Sequence, residues 1–519
     1  MFAVFRADAS PVLGGGQVMR CLIIAEALKA AGWRCGFVCN QGAETVIPDI
    51  LRHDVLFVSS DDDASVIAQM VEKWPRPWDL GVIDHYKLNA GFENRLRAHA
   101  GKILVIDDLH DRPHDCDFLL DQTLGRKRED YASWVPPGCC CLLGTDYALL
   151  RPEFMELRAG SLERRKPGQP LRRVFISFGA TDHYNIARRA LEAIRDLDLA
   201  MDVDVVMAGG APHIDNVRKI ASKMRQNVTV HVDSNDVAGL LSMADMALGS
   251  PGISSWERCC LGVPVLLVPW ADNQKDNAEA LEDAGAAIIL GWGDEVTSEV
   301  IANVFSKVTD NPDRLAAMGD AASRTCDGRG IIRLLFAVLP PQKTKNGGEV
   351  SLCFADKEDE TLLFEWQQHD ETRRYSRNTE APTRDEHHRW FQASFDDPGR
   401  YLTLIVHNGE KAGCFRLDHM EDGSMEVSIY LDPSFYNQGI ATACLEYARK
   451  VWSQHVLTAW VAAANDASNA LFQRCGYARR ADGIYEHKPA YAHAKPAGTG
   501  SLIRRMCLSV ESTERGHTS

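Results

Sequence analysis

Through the first 340 residues, short apolar runs alternate with longer amphipathic ones, and this rhythm constrains the fold more than any other feature of the chain. Residues 2–5, 35–39, 55–58, 80–83 and 103–106 read as buried strands. Between them, stretches such as 18–31 place Met19, Leu22, Ile23, Ala27 and Ala30 on one helical face. Such alternation predicts α/β architecture with a doubly wound parallel sheet. After the basic run Arg164-Arg165-Lys166 and the breakers Gly168 and Pro170, the rhythm restarts, with strands at 174–178, 203–207, 228–232, 246–248 and 263–268. Two Rossmann-like lobes, 1–160 and 161–340, are therefore expected, with ligands held outside the carboxyl ends of the strands.

A second break is polar and punctuated by Pro and Gly: Pro340-Pro341-Gln342-Lys343-Thr344-Lys345-Asn346-Gly347-Gly348. It predicts a linker over 341–348. Beyond it, a helical stretch at about 359–396 precedes strands at 401–407, 413–419 and 425–431, a helix at 441–452 and a strand at 456–461. This is an α+β module over 349–492, followed by a polar tail at 493–519.

Composition narrows the function. The 519 residues carry 57 Lys+Arg against 72 Asp+Glu, a formal charge of −15, which argues against a nucleic-acid or anionic-membrane binder. Fifteen cysteines fall without any CxxC pair, so neither a zinc site nor another metal is expected, and buried reduced thiols are. Arg6 comes too early for a signal peptide, and no apolar run approaches the roughly 20 residues that span a bilayer. A cytoplasmic enzyme is expected; the sequence assigns no oligomeric state.

Two strand-to-helix joints can cradle an anion. The first, Arg6-Ala7-Asp8 through Gly14-Gly15-Gly16-Gln17 to Arg20, brings glycines to a helix start, where free amides favour negative charge. The second, Gly249-Ser250-Pro251-Gly252-Ile253-Ser254-Ser255-Trp256-Glu257-Arg258, offers small residues, hydroxyls and a carboxylate suited to ribose hydroxyls. Alternatively, Ser254 caps the helix and Glu257 completes a capping box.

With Ile83-Asp84-His85-Tyr86, Asp107-Asp108, Gly144-x-x-Tyr147-Ala148-Leu149-Leu150-Arg151, Ser177-Phe178-Gly179-Ala180-Thr181-Asp182 and Ala271-Asp272-Asn273-Gln274, residues 1 to about 335 resemble the UDP-sugar hydrolases of pseudaminic acid biosynthesis, relatives of the GT-B glycosyltransferases. The resemblance implies metal-free, inverting attack of water on the anomeric carbon of a UDP-2,4-diacetamido-trideoxy sugar. It assigns UDP-sugar binding to Asp8, Gly14, Gly16, Arg20, Gly179, Gly252, Ser254, Ser255, Glu257 and Gln274, and catalysis to position 17, Tyr86 and Asn273. The family has a His where this chain has Gln17. Gln cannot take a proton at neutral pH, although its amide can hold a water or a sugar hydroxyl. His85 is the nearest imidazole in sequence; its other reading is a tie between strand and loop.

In the C-terminal module, Leu431-Asp432-Pro433-Ser434-Phe435-Tyr436-Asn437-Gln438-Gly439-Ile440-Ala441-Thr442 and Ala464-Asn465-Asp466-Ala467-Ser468-Asn469-Ala470-Leu471-Phe472-Gln473-Arg474-Cys475-Gly476-Tyr477 resemble the two acetyl-CoA motifs of the GNAT acetyltransferases. The resemblance assigns acetyl-CoA binding to Leu431, Asn437, Gln438, Gly439, Ile440, Ala441, Thr442, Asn465, Asn469 and Phe472. Amides of such a loop hold a pyrophosphate. Glu426 stands where a strand carboxylate often serves as base, its other reading being a solvated strand residue. Phe472 occupies the place of the usual tyrosine acid; Tyr477 is a candidate substitute, although in the family it is more often an aromatic packing residue. Phe364-x-Trp366-x-x-His369-Asp370 and Glu386-His387-His388-x-Trp390-Phe391 resemble the subgroup that acetylates nucleotide-linked aminosugars, with the two histidines read as surface or sugar contacts.

Joined, the halves imply a bifunctional enzyme of nonulosonic acid synthesis that N-acetylates a UDP-4-amino-sugar and then releases UDP, with fusion raising the local concentration of the intermediate. Two alternatives stay open: an N-terminal UDP-sugar binding module impaired by Gln17, and a GT-B-like sugar transferase. Pseudaminic and legionaminic stereochemistry are not distinguished.

Overall fold

The computed structural model describes residues 1–10, 13–59, 62–165, 167–179, 181–197, 199–480 and 482–489, without the side chain of Asn273. The expected polar tail and the last residues assigned to the C-terminal module lie outside the described residues. The chain forms two compact units, one of Met1–Pro340 with Phe395–Gly399, the other of Pro341–Ser394 and the chain from Arg400. Among the described residues, no helix is long and apolar enough to cross a membrane.

The first unit holds two parallel sheets. Strands β1 (Phe2–Ala7), β2 (Arg34–Asn40), β3 (Asp54–Val58), β4 (Trp78–Asp84), β5 (Ala100–Ile106), β6 (Phe118–Asp121) and β7 (Cys140–Leu143) lie in the order 3-2-1-4-5-6-7. Strands β8 (Arg173–Ser177), β9 (Asp202–Met207), β10 (Asn227–Val232), β11 (Met246–Gly249), β12 (Val265–Leu267) and β13 (Ala287–Ile289) follow in the order 10-9-8-11-12-13. The order reverses beside β1 and again beside β8, so the loops after these strands open at topological switch points, where such sheets bind ligands. The central strands, such as β1, β8 and β11, are mostly apolar and largely buried, whereas the edge strands β3 and β10 keep exposed positions.

The expected lobe boundary at 160/161 falls inside the helix Pro152–Arg164. That helix packs on the second lobe, where Arg158 donates to the carbonyls of Cys326 and Ser323 at 3.0 and 2.8 Å and the Ser161 hydroxyl to that of Leu261 at 2.8 Å. The unit's last helix, Gly330–Val338, returns to the first lobe and packs on the helix Gly16–Ala30.

Beneath the β5–β6 loops runs a buried polar network. Glu93 accepts from the Asp115 amide at 2.6 Å and faces His114 Nδ1 at 2.7 Å, while His114 Nε2 lies 3.8 Å from Asp107. The Tyr131 hydroxyl lies 3.0 and 2.9 Å from Asp107 and Asp121. Burial disfavours charge on His114, but Asp107 and Glu93 outweigh it and carry the imidazole from 6.5 up to about 9. A raised histidine stabilises the fold fully below pH 6.5 and loses that contribution as pH climbs through about 9, a term of roughly 3 kcal/mol. Thermal unfolding should therefore show the first unit weakening across that window, and His114→Gln should lower stability at pH 6.5 while flattening the pH dependence. A wild-type profile flat between pH 6.5 and 9 would contradict this coupling.

The second unit is an eight-stranded mixed sheet: β14 (Gln342–Lys343), β15 (Glu349–Phe354), β16 (Arg400–His407), β17 (Glu410–His419), β18 (Met425–Leu431), β19 (Leu457–Trp460), β20 (Ala478–Arg479) and β21 (Ile484–His487), ordered 14-15-16-17-18-19-21-20. The expected linker is thus an edge hairpin. Gln342 donates to Glu446 at 3.0 Å and accepts from Lys450 at 2.7 Å, so polar side chains that read as linker are held by the helix Ile440–Val451. The expected helical stretch 359–396 breaks into Glu360–Gln367, Asp370–Arg373 and Arg384–Asp396. Pro382 precludes a continuous helix there.

Candidate functional site

In the first lobe, β1 ends in a cluster that fixes the following loop. Arg6 forms a two-pronged ion pair with Asp8, whose other contacts are the Asn40 amide at 2.8 Å and His85 Nε2 at 3.0 Å. Burial works against the Asp8 charge, but His85 and Arg6 outweigh it and hold the carboxyl far below the usual carboxylate range. His85 Nδ1 accepts from the Lys87 amide at 3.1 Å, so the ring proton sits on Nε2 and points at Asp8. With both nitrogens engaged, His85 ties the ends of β1 and β4 together.

Arg20 was expected to touch a ligand. Instead its buried guanidinium grips Asp84 with two bonds of 2.7 Å and Asp108 with one of 3.0 Å. Burial disfavours its charge, but the two carboxylates and the field of Tyr86 hold its pKa well above normal. The pair stitches the helix Gly16–Ala30 to the ends of β4 and β5 and so positions the loop ahead of that helix. Tyr86 follows β4 and is half-buried.

Gln17 lies in the first turn of the same helix and is only 6% exposed; its Nε2 has no hydrogen-bond partner among the described residues. That amide donor is therefore available for a further hydrogen bond. A Cβ at Gly16 would lie a tight 3.2 Å from Ile253 Cδ1 and would require that side chain to give way. That contact brings the two anion-cradling loops of the unit face to face.

The second loop is shaped from beneath by Arg258, fully buried, which donates to the Ser250 carbonyl at 2.7 Å and to the Ser255 and Ser254 hydroxyls at 3.0 and 3.2 Å. Burial lowers its pKa to about 10. Ser255, expected to bind ligand, is 1% exposed and serves Arg258. The capping-box alternative does not form: Ile253 is the N-cap, without a side-chain cap, and Ser254 is the first helical residue. Glu257 is thereby left to face Arg151 Nη2 at 4.0 Å, and burial pushes its carboxyl up against the pull of Arg151 and Arg258. Gly252 and Gly179 border open space. Gln274 accepts from the Trp270 amide at 3.1 Å and closes its own turn. Asn273 sits in the 3-10 turn Asp272–Gln274, its side chain outside the described residues.

In the second unit, β18 and β19 pair in parallel only at Met425–Leu457 and Glu426–Thr458, then part. Beyond the split, Leu431 leads through Asp432–Gln438 to Gly439 and the helix Ile440–Val451. Asn437 and Gly439 both take left-handed backbone, at φ 61° and 80°. Asn tolerates that conformation better than other side chains, which explains how it stands where glycine is usual. The turn opens the helix, whose first amides, those of Ile440, Ala441 and Thr442, have no partner within it. The Ile440 side chain is buried, and the Gln438 amide donates to the Ser434 carbonyl at 3.2 Å. Thr344 and Lys345 of the edge hairpin approach within 3.8 Å of where a Gly439 Cβ would lie.

The second motif is mostly scaffold. Asn465 caps the helix Asp466–Arg474 through the Ser468 amide at 3.1 Å, and the Asn469 amide donates to the Ala462 and Asn465 carbonyls at 3.2 and 2.8 Å. Phe472 and Tyr477 are buried edge to face, and burial pushes the Tyr477 phenol up, so it is a packing residue. The hydroxyl that reaches the motif belongs to Tyr485, donating 2.8 Å to Asn469 Oδ1 from β21, a strand not foreseen in the sequence. His387, expected as a surface or sugar contact, is buried among Phe364, Trp390 and Phe391 and bonds to the Glu360 carbonyl at 3.1 Å. Glu426 is engaged by Arg377, which no motif flagged.

A family model described as acetyltransferase (GNAT) domain matches residues 352–478, and one described as glycosyltransferase family 28 C-terminal domain matches 173–329. The UDP-2,4-diacetamido-2,4,6-trideoxy-beta-L-altropyranose hydrolase of Campylobacter jejuni is 26% identical over 286 residues, 55% of this chain and 97% of that protein. The spore coat polysaccharide biosynthesis protein SpsG of Bacillus subtilis is 29% identical over 334 residues, 63% of this chain and 95% of its own. The UDP-N-acetylglucosamine–N-acetylmuramyl-(pentapeptide) pyrophosphoryl-undecaprenol N-acetylglucosamine transferase of Thiobacillus denitrificans is 31% identical over 326 residues, 60% of this chain and 77% of that one.

Proposed function

We propose, for a chain that belongs to the glycosyltransferase family 28 group in its first unit and carries a GNAT acetyltransferase domain in its second, that it N-acetylates the 4-amino group of a UDP-linked aminosugar and receives the acetylated sugar nucleotide in its first unit for release of UDP. The observation that carries this reading is the split between β18 and β19 running into the Asn437–Gly439 turn. Such a split admits a thioester between the strands, and the turn presents amides to a pyrophosphate. Acetyl-CoA supplies the activated acyl group. Around it, Glu426 takes the proton of the attacking ammonium, and Gly439, Ile440, Ala441 and Thr442 hold the pyrophosphate.

In the first unit, Gly14, Gly16, Gly179, Gly252 and Ser254 line the nucleotide, and Glu257 accepts from the ribose hydroxyls. Asp8, Arg20, Ser255 and Gln274 position these loops. Gln17 and Tyr86 face the sugar. The lone Gln17 Nε2 favours a second reading, in which this unit binds the sugar nucleotide but hydrolyses it slowly, because an amide cannot accept the proton of attacking water.

Mass spectrometry after incubation with a UDP-4-amino-sugar and acetyl-CoA tests both. One added acetyl group together with free diacetamido sugar is the expected result. Acetylation with UDP retained favours the binding module, and no acetyl transfer overturns the proposal. Separately, Glu257→Ala should weaken UDP binding by about 1.5–3 kcal/mol, the range for hydrogen bonds to a charged group, and leave acetyl-CoA binding unchanged. Unchanged UDP affinity by calorimetry would remove Glu257 from the site.

A further inference from the structure

Between the helices Asp370–Arg373 and Arg384–Asp396, the chain forms a strap that touches the second unit's sheet at β18 and β19. Arg373 pins this strap, donating to Gln367 at 2.7 Å, to the Glu380 carbonyl at 2.7 Å and to the Asn378 carbonyl. From it Arg377 reaches Glu426 with both guanidinium nitrogens, one at 3.1 Å, and lays its guanidinium 5.3 Å from the centroid of the Trp460 ring. Glu426 belongs to β18 and Trp460 to β19, so a single side chain bridges the two strands where they part. Both carboxylate oxygens of the base are engaged while the bridge stands. Arg377 is nevertheless 61% exposed at its side chain, against 17% for Glu426, so an anion from solvent can reach the guanidinium.

A guanidinium fork fits a phosphate as well as a carboxylate. We propose that Arg377 is a substrate-operated latch: it binds the diphosphate of the sugar-nucleotide acceptor, and its transfer from Glu426 to that diphosphate frees the carboxylate to act. Glu426 then takes a proton from the acceptor ammonium. The electron pair left on nitrogen forms the C–N bond to the acetyl carbonyl, and the C–S bond breaks with its own electron pair leaving on the thiolate. The second proton of the attacking nitrogen passes through water to that thiolate, which gives the neutral amide and the CoA thiol. An aminosugar without a diphosphate cannot open the latch, which makes Arg377 a determinant of acceptor class.

The latch rests on the reading of Glu426 as base and of the acceptor as nucleotide-linked, and the test separates them. With the full chain, acetylation of a UDP-4-amino-sugar is compared with that of the same aminosugar lacking UDP. The wild type should prefer the nucleotide by kcat/KM. Arg377→Ala should raise the nucleotide's KM about 10- to 100-fold, the scale of a charge-assisted contact, while raising kcat on the free aminosugar, so that the preference collapses. Arg377→Lys should restore part of it, having the charge without the fork. Equal losses on both acceptors in Arg377→Ala, or an unchanged preference, would overturn the latch. Glu426→Gln reports on the underlying reading: full activity in that variant removes Glu426 as base, and the latch with it, whereas its loss beside an unchanged preference in Arg377→Ala sinks the latch alone.

Discussion

Gly439→Asp will raise the KM for acetyl-CoA by about 10²–10³-fold, because a like charge set against a pyrophosphate costs several kcal/mol. The position isolates that effect. Its backbone is left-handed at φ 80°, and a Cβ would meet only Thr344 and the Lys345 amide, both at 3.8 Å. Aspartate tolerates left-handed backbone better than most residues, so the loop keeps its shape while the charge changes. Gly439→Ala provides the strain without the charge and should lose about tenfold or less. Equal losses in the two variants would trace the defect to backbone geometry, and normal acetylation by Gly439→Asp would put the cofactor loop elsewhere.

The second large effect concerns Gln17. Restoring an imidazole with Gln17→His should raise release of the free diacetamido sugar by about 10²–10⁴-fold, the usual worth of a positioned general base. Affinity for the sugar nucleotide should change little, since the loops around Gly16 and Glu257 stay as they are. The readout is the free sugar, because UDP release alone does not distinguish water from another acceptor. Fast wild-type turnover that drops in the variant would assign the chemistry to another residue. His85 is a poor candidate, with one ring nitrogen committed to Asp8 and the other to the Lys87 amide.

Much of the fold is written in local pattern. Long buried strands show as apolar runs, unbroken in β1 from Phe2 to Phe5 and in β4 from Leu80 to Ile83. Strands of two to four residues at sheet edges do not, because too few positions repeat for any period to register; β7, β13, β14 and β20 are of this kind. β14 hid further because its hydrogen-bonded residues, Gln342 and Lys343, have the composition of a linker. The site divides the same way. Turns at Gly14, Gly252 and Asn437–Gly439 were legible from residues that tolerate unusual backbone or close approach. Partners distant in sequence were not. Arg20 reads as a ligand contact until Asp84, 64 residues away, is seen to hold it, and Glu426 reads as free until Arg377, 49 residues away, is found across it.

The helix Gly330–Val338 has a consequence for how such a chain can be divided. It begins just past the stretch that matches the glycosyltransferase family, yet Gly330 packs so closely on Tyr147 and Ala148 that a Cβ there would collide with their backbone, and Arg333 donates to the Asp146 carbonyl at 3.0 Å. A gene fragment cut at residue 329 would strip an apolar flank, Leu334 and Leu335, from the half of the unit farthest from the cut in sequence. Shuffling or transplanting the first unit therefore requires the chain through Pro340, and a partner gene must join at Pro341 to keep β14. Even at that seam the first unit gives up Phe395–Gly399, where the Asp397 carbonyl accepts from Arg329 at 3.0 Å.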